Sequence, residues 1–553
     1  MTTEAWQEYW RARRNTFGEE CRVARAELLA DLRRPERAQQ RVLADLVDLS
    51  RNSLHWQEQG YGPAANPDAF RRQLPIRRYE DYLPLIEREI HAKGGILACS
   101  PVPRWLKTSG TTGTPKRIPY SVHWMEHYRT PALQALWGTY LAHCPELLAH
   151  PYATLDTQTT REEPAEFLQG AQYQGVTSRH PLVNSRDWQP PWQQAPWFDL
   201  EAPSAHEGRM YHRIRHLLGR RPHFVSAINP STLISLRDLV AANGERLVRD
   251  LCEGTLEGKP WGRPDEAAAH RLAAALRQAD FALTDLWPTL TGYTCWTSAS
   301  TRLYQGKLDA IFPGVAQLAF MSCGSEGVTA IPVDDTLHSQ PLAVNQGFFE
   351  FVPAEVPLGE RLAAGVQVDT VLFDQVEAGR EYHLLMSQAN GLHRLWIGDI
   401  YHVDRVVDGV PWVHLVRRDG VFHSFTGEKV TEVQVTEALE RGFAGLGLDM
   451  GLYMCGPRWA EPPGYVALVE SRAGGRGVDG ELSARVDRQL RTINTEYESK
   501  RGSGRLDPIE VITVAPDAIS SYVERRRTAG NATQYKYKPF QPDIDFVSAI
   551  VGG

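Results

Sequence analysis

Lysine is scarce in this 553-residue chain: of 60 basic side chains only Lys93, Lys107, Lys116, Lys259, Lys307, Lys429, Lys500, Lys536 and Lys538 are lysines, and the rest are arginines. Positive charge of either kind is outnumbered by 67 acidic residues, for a formal charge of -7. No basic field exists to grip a phosphate backbone, which excludes nucleic acid as the main partner. Cysteine is sparse too. The seven (Cys21, Cys99, Cys144, Cys252, Cys295, Cys323, Cys455) are far apart, odd in number and without a C-x-x-C pair, so neither a disulfide framework nor a cysteine zinc site is expected. There is no apolar run of about 18 residues, and the N-terminus MTTEAWQEYWRARR places charges where a signal peptide needs its apolar segment. These absences predict a cytoplasmic protein with no membrane partner.

What is present is ordinary globular composition, 42% hydrophobic and 23% charged. At roughly 100–200 residues per domain, the length predicts more than one domain. From residue 4 to about 58, Leu28, Leu29, Leu32, Val42, Leu43, Leu46 and Val47 recur at helical spacing, so 1–58 reads as a helical scaffold. Short apolar runs with Gly and Pro punctuation from Pro75 onward predict an α/β core of mixed sheets flanked by helices. The stretch SRDWQPPWQQAPWFDL (185–200) fits neither period and reads as a loop or lid, packed on the surface in preference to walling an acyl pocket. Beyond Arg417-Arg418-Asp419-Gly420 come a strand (465–470), a helix (481–493) and a strand (509–514). The expected boundary is therefore at 418: a large domain, 1–418, and a small, mobile α+β C-terminal domain, 419–553.

The most informative segment is KTSGTTGTPKRIP, Lys107 to Pro119, the centre of a proposed phosphate loop over 104–119. Gly110 and Gly113 permit close backbone approach to a ligand, and Thr108, Ser109, Thr111 and Thr112 place hydroxyls beside successive backbone N–H groups. With Lys116 following, this pattern suits polyphosphate. It is not a Walker loop, because G-x-x-x-x-G-K-[ST] needs Lys directly after the second glycine, whereas Gly113 is followed by Thr114-Pro115-Lys116.

TSGTTGTPK instead resembles the phosphate-binding signature of the adenylate-forming superfamily. PIRRYEDYLPLIERE (75–89), YTCWTSASTRLYQGKLDAIFPGV (293–315), SCGSEGVTAIPVD (322–334), GLHRLWIGDIYHV (391–403), TGEKVTEVQV (426–435), NTEYESKRGSGRL (494–506) and TQYKYKP (533–539) narrow the likeness. In this order they resemble the auxin-responsive Gretchen Hagen family of acyl acid amido synthetases, in particular its bacterial relatives, over about residues 75–540.

The resemblance implies ATP and Mg²⁺ as cofactors and a carboxylic acid and an amine as small-molecule partners. Glu326, in Gly324-Ser325-Glu326-Gly327, matches the motif whose carboxylate holds Mg²⁺ against the triphosphate. Asp399, after Gly398, matches the residue that accepts hydrogen bonds from the ribose hydroxyls. Lys536, in Gln534-Tyr535-Lys536, matches a lysine that neutralises charge on the reacting α-phosphate. Lys538 rivals it, because Tyr537-Lys538-Pro539-Phe540 departs from the family pattern. Arg418 and Asp419 are the expected hinge. Ser322 stands where the superfamily often has an adenine-stacking aromatic, which leaves Phe320 or another residue for that role.

Three patterns are discounted. Gly475-Arg476-Gly477-Val478-Asp479-Gly480 is a literal G-x-G-x-x-G but opens no βαβ unit, so it reads as a connection. His212 and His216 lack a third zinc ligand and read as surface histidines. Cys323 reads as a small buried packing residue. Two alternatives to amide formation stay open, a ligase transferring the acyl group to CoA or a carrier thiol, and a protein that binds ATP and acid without turnover.

Overall fold

The structure is a computed structural model. It describes residues 3–63, 66–92, 94–102, 104–108, 116–157, 190–195, 206–228, 230–297, 305–418, 422–423, 428, 430–458, 460, 462–472, 477–502, 504, 506–529, 537–541 and 544–551. Contacts divide the chain into two compact units, the first made of residues 1–397 and 401–415, the second of 398–400 and 416–553. Mixed sheets flanked by helices are found, as expected of an α/β fold. Among the described residues no helix is long and apolar enough to cross a membrane.

The N-terminal scaffold follows from its periodicity. Helix Thr3–Leu32 buries Trp6, Trp10, Phe17, Cys21, Ala24 and Leu28, a stripe at spacings of three, four and seven. This stripe packs on helix Thr130–His143, where Gly138 permits close approach, since a Cβ there would run into the Cys21 carbonyl oxygen. Helix Pro35–Ser50 begins with a proline in its first turn, where no N–H partner is needed. It turns Val42, Leu43, Leu46 and Val47 into a second core with Phe348, Phe349 and Phe351. Buried Gln39 ties this helix down, donating to the carbonyls of Val344 (2.6 Å) and Gly347 (2.7 Å) and accepting from the Phe349 N–H (3.1 Å).

Two main sheets share the first unit. One is wholly parallel, in the order Thr154–Asp156, Phe224–Ser226, Gly292–Cys295, Ala316–Ala319. The other runs Gln340–Pro341, Val410–Arg418, Leu395–Val407, Glu381–Ser387, Phe348–Pro353, with Arg77–Arg78 added in parallel to Leu395 and Trp396. A buried ion pair fixes the second sheet: Arg394 donates to Glu350 through Nε (2.9 Å) and Nη2 (2.8 Å), and through Nη1 to the Arg71 carbonyl at 2.7 Å. Removing one partner of such a pair leaves a charge stranded out of water, at a cost of about 3–5 kcal/mol.

The Trp-rich stretch departs from expectation where it is described. Trp192, in the short helix Pro191–Gln194, is buried and not a surface residue. Its ring packs at 4.7 Å from Trp137 and 5.9 Å from Phe17, and its Nε1 donates to Asp156 at 3.0 Å. The prolines fix the backbone, but the indole area available for burial draws the segment into the core.

In the second unit, Tyr453–Arg458 pairs antiparallel with Gly464–Glu470, which pairs in parallel with Glu510–Val514 after helix Asp479–Ile493. Helix Glu432–Ala444 starts at a reciprocal cap between Thr431 and Gln434. The C-terminal segment meets this sheet at one parallel bridge, Cys455 to Phe540: the Cys455 N–H donates to the Pro539 carbonyl (2.6 Å) and the Gln541 N–H to the Cys455 carbonyl (2.7 Å).

Gly138→Ala forces the first helix off its partner and is expected to lower unfolding free energy by about 1–3 kcal/mol, as overpacking does. Gly306→Ala, with nothing within 4 Å of its Cβ position, should be neutral or stabilising. Chemical denaturation of the two variants checks this.

Candidate active site

The phosphate-loop residues hang from a hairpin. Arg104–Thr108 pairs with Lys116–Tyr120, in register from Arg104↔Tyr120 to Thr108↔Lys116, so residues 109–115 join two strand ends already held side by side. Ser109, Gly110, Thr111, Thr112, Gly113 and the side chain of Thr108 lie outside the described residues. Trp105 and Ile118 root the hairpin in the core. Tyr79, at the start of helix Tyr79–Ala92, clamps it: the phenol accepts from the Arg117 N–H (2.5 Å) and donates to the Arg117 carbonyl (3.1 Å). Burial raises the pKa of that phenol, opposed by its hydrogen bond to the Arg117 backbone, so it stays a neutral donor.

A second hairpin carries the acid. Ser322–Cys323 pairs with Val328–Ala330 across a register shift, and Gly324-Ser325-Glu326-Gly327 forms its loop, closed by the Gly324 N–H on the Gly327 carbonyl (2.9 Å). Glu326 is only 6% exposed. One of its oxygens accepts from the Ser325 hydroxyl (2.8 Å) and the other lies 3.9 Å from Lys116 Nζ. The same ammonium sits 5.0 Å from the Tyr79 ring centroid, a cation–π distance. Residues 116 and 326 thus meet where the two hairpins meet.

The sequence did not single out Arg129. It ends a π-helical turn, Met125–Arg129, inserted between Val122–Trp124 and Thr130–His143, and such turns often mark functional positions. Its guanidinium donates to the Gly324 carbonyl at 3.4 Å. Burial opposes its charge, but Tyr120, Cys323 and Glu326 more than compensate and its pKa is raised. No pattern in the sequence announces a π turn, and the contact spans 195 positions.

Gln388 was equally invisible. It fills space that two glycines leave, since a Cβ on Gly327 would lie 2.7 Å from its Nε2, and it accepts from Trp124 Nε1 at 3.0 Å. Ser322, at the superfamily's aromatic position, makes a 2.9 Å hydroxyl contact with Tyr401, which brings an aromatic side chain to that position from another strand. Phe320 is buried among core residues.

The remaining expected residues are placed separately. Asp399 lies in strand Leu395–Val407 at 7% exposure, among residues that cluster with the C-terminal unit. Arg418 ends strand Val410–Arg418, while Asp419 and Lys536 lie outside the described residues. Lys538 is exposed. Its neighbour Tyr537 is anchored, its hydroxyl accepting from the Tyr453 N–H (3.1 Å) and donating to the Tyr453 carbonyl. All three discounted patterns need correction. The stretch 475–480, described from Gly477 on, does lie in a βαβ unit, because strand Gly464–Glu470 leads through helix Asp479–Ile493 to its parallel neighbour Glu510–Val514. Cys323 is half-buried, not buried. His216 is not a surface histidine: it lies against the rings of Tyr152 and Trp261, and burial, aided by Arg220 and Arg215, lowers its pKa to about 3. His212 is 3.4 Å from Glu257.

Comparison with known proteins decides the family. The descriptions "GH3 family N-terminal domain", "GH3 family central domain" and "GH3 family C-terminal domain" match residues 24–317, 340–418 and 433–543 in turn. The chain belongs to the GH3 family. It is similar to the indole-3-acetic acid-amido synthetase GH3.8 of Oryza sativa subsp. indica, 24% identical with 93% of this chain and 90% of the relative covered. It is also similar to the jasmonoyl–L-amino acid synthetase GH3.5 of Oryza sativa subsp. japonica, at 21% identity over 91% of this chain and 92% of the relative. Its fold matches a solved GH3.15 acyl acid amido synthetase in complex with 2,4-DB, with a TM-score of 0.77, 18% identity and 96% of each chain covered. As a GH3 family member it is an ATP-dependent ligase that adenylates an acyl acid and closes an amide.

Gly327→Ala is expected to displace the Glu326 loop through Gln388 and to lower stability by about 1–3 kcal/mol. In a Gln388→Ala background the same change should cost measurably less, because the two sites are in contact. Equal costs in a denaturation cycle would contradict this packing.

Proposed function

We propose that this chain uses the pair of hairpins meeting at Lys116 and Glu326 to hold the triphosphate of ATP while a carboxylic acid is adenylated. The observation that carries the reading is the 3.9 Å approach of Lys116 Nζ to a Glu326 carboxylate that is almost fully buried. An ammonium and a carboxylate side by side, with a sequence rich in hydroxyls and glycines directly preceding Lys116, supply one group for phosphate oxygens and one hard oxygen ligand for Mg²⁺. Thr108 to Gly113 and Lys116 bind the phosphates, with Gly324 and Ser325 shaping the Glu326 loop, and Asp399 accepts from the ribose hydroxyls. Bound Mg²⁺ would supply charge neutralisation of the triphosphate, with Glu326 holding it.

In the first half-reaction a carboxylate oxygen of the acid attacks the α-phosphorus, the bond to pyrophosphate breaks, and acyl-AMP forms. Lys536 offsets the charge developing at the α-phosphate. Lys538 is the second candidate, but the anchored Tyr537 lies between the two in sequence and Lys538 is exposed. In the second half-reaction an amine attacks the acyl carbon, the bond to AMP breaks, and the amine loses a proton as the amide forms. The amine is an amino acid, by analogy with the relative named as a jasmonoyl–L-amino acid synthetase. A small domain, 419–553, rotates about Arg418 and Asp419 between the two steps.

A panel of carboxylic acids, with hydroxylamine as the trapping amine and hydroxamate read by mass, tests the activity. An acid-dependent hydroxamate and acid-dependent ATP–pyrophosphate exchange are expected. ATP binding without exchange for any acid would leave a binding protein. Repeating the panel with amino acids, CoA and carrier thiols should give amide; thioester alone would overturn the acceptor. Lys536→Met should cut exchange by about 10²–10³-fold, as loss of a preorganised charge donor does, and Lys538→Met far less. Asp419→Pro should impair one half-reaction more than the other, and equal losses in exchange and product formation would remove the hinge from the account.

A further inference from the structure

Among the described residues, one cluster of side chains of metal-ligating type lies outside the groups assigned to adenylation. His402 and Asp404 stand two positions apart in strand Leu395–Val407, so their side chains share a face of the sheet, and Val403 between them turns into the core. His414 comes from the adjoining strand Val410–Arg418, with its ring centroid 5.2 Å from that of His402. Asp404 lies between the imidazoles, its two oxygens 3.3 Å from His402 Nδ1 and 2.8 Å from His414 Nδ1. One ligand atom from each of the three residues falls within 4.8 Å of the other two. All three are partly solvent-accessible, so an ion can enter.

We propose that His402, Asp404 and His414 form a site for a divalent transition metal of the Zn²⁺ class. Two imidazoles and one carboxylate make a donor set that suits zinc and is poor for Mg²⁺, which takes oxygen ligands. Zinc–ligand bonds of about 2.0–2.2 Å in a tetrahedron put neighbouring donors about 3.3 Å apart. The His402–Asp404 separation of 3.3 Å matches that edge and is long for a charge-assisted N–H···O bond, which is about 2.7–2.9 Å. The 2.8 Å contact to His414 is made by the other carboxylate oxygen, so a rotation of the Asp404 or His414 side chain is needed to bring both imidazoles around one donor oxygen. Arg405 does not compete for the carboxylate, because its guanidinium lies 3.9 Å over the Trp412 ring. Water completes the fourth position, as in sites with three protein ligands.

The consequence is mechanical. These strands are joined by a tight turn at Asp408-Gly409, both with positive φ (50° and 78°). A bound ion links them a second time, above the turn.

The test uses the full chain after treatment with a chelator. Calorimetric titration with Zn²⁺ is expected to show one saturable equivalent, and Co²⁺ should give the visible ligand-field absorption of a tetrahedral site. His402→Ala and His414→Ala should each abolish the saturable phase and the cobalt bands. The thermal midpoint of the parent should rise with Zn²⁺ concentration as linkage requires, and that of the variants should not. Absence of saturable binding in the parent, or binding and cobalt spectra unchanged in the His402→Ala/His414→Ala double variant, would overturn the proposal and leave the cluster as a hydrogen-bonded His–Asp–His group. Because the cobalt spectrum is read on the unmodified chain, a variant that misfolds does not decide the outcome.

Discussion

A carboxylate taken out of water has to be met by positive charge or donors, and Glu326 is such a carboxylate. Its partners come from three separate places. Lys116 arrives on the edge of one hairpin, Ser325 from its own loop, and Arg129 from a π-helical turn that reaches the loop through the Gly324 carbonyl. Each partner is itself held, Lys116 over the Tyr79 ring and Tyr79 by both backbone groups of Arg117. The loop is held from behind by Gln388, which occupies the room that Gly327 leaves. Satisfying one buried charge therefore fixes how two hairpins more than 200 residues apart in sequence approach each other, and with them the site proposed for the triphosphate.

The motifs were legible because their chemistry is local. KTSGTTGTPKRIP and GSEG carry their glycines, hydroxyls and charges within a few consecutive residues, and the turn expected of GSEG is found as the loop of its hairpin. The helical scaffold was legible for a similar reason: Trp6, Trp10, Phe17, Cys21 and Leu28 trace one face at helical period. Arg129, Gln388 and the Ser322–Tyr401 contact were not legible, since each depends on which element packs against which. Nor was the fate of the Trp-rich stretch. Its irregular period hid the fact that Trp192 finds both apolar rings and a carboxylate acceptor, Asp156, in the core.

Scarcity of lysine gains meaning in this light. Five of the nine lysines, Lys107, Lys116, Lys429, Lys536 and Lys538, fall in the phosphate segment, the stretch after the boundary or the C-terminal motif. Elsewhere, where a cation only has to bridge carbonyls or pair with a carboxylate, arginine does it, as Arg394 does with Glu350, Arg71 and Leu74. A compact, strongly hydrated ammonium binds a phosphate as a point charge without the planar demands of a guanidinium. The C-terminal segment is anchored directly after Lys536 by the Tyr537–Tyr453 bonds and the Cys455–Phe540 bridge.

The most direct measurement of the central claim is hydrogen–deuterium exchange of the full chain with and without Mg²⁺ and ATP. If Lys116 and Glu326 flank one triphosphate, peptides covering 104–120 and 322–330 slow together when ATP is added. ATP binding that protects neither peptide, or only one of them, would contradict it.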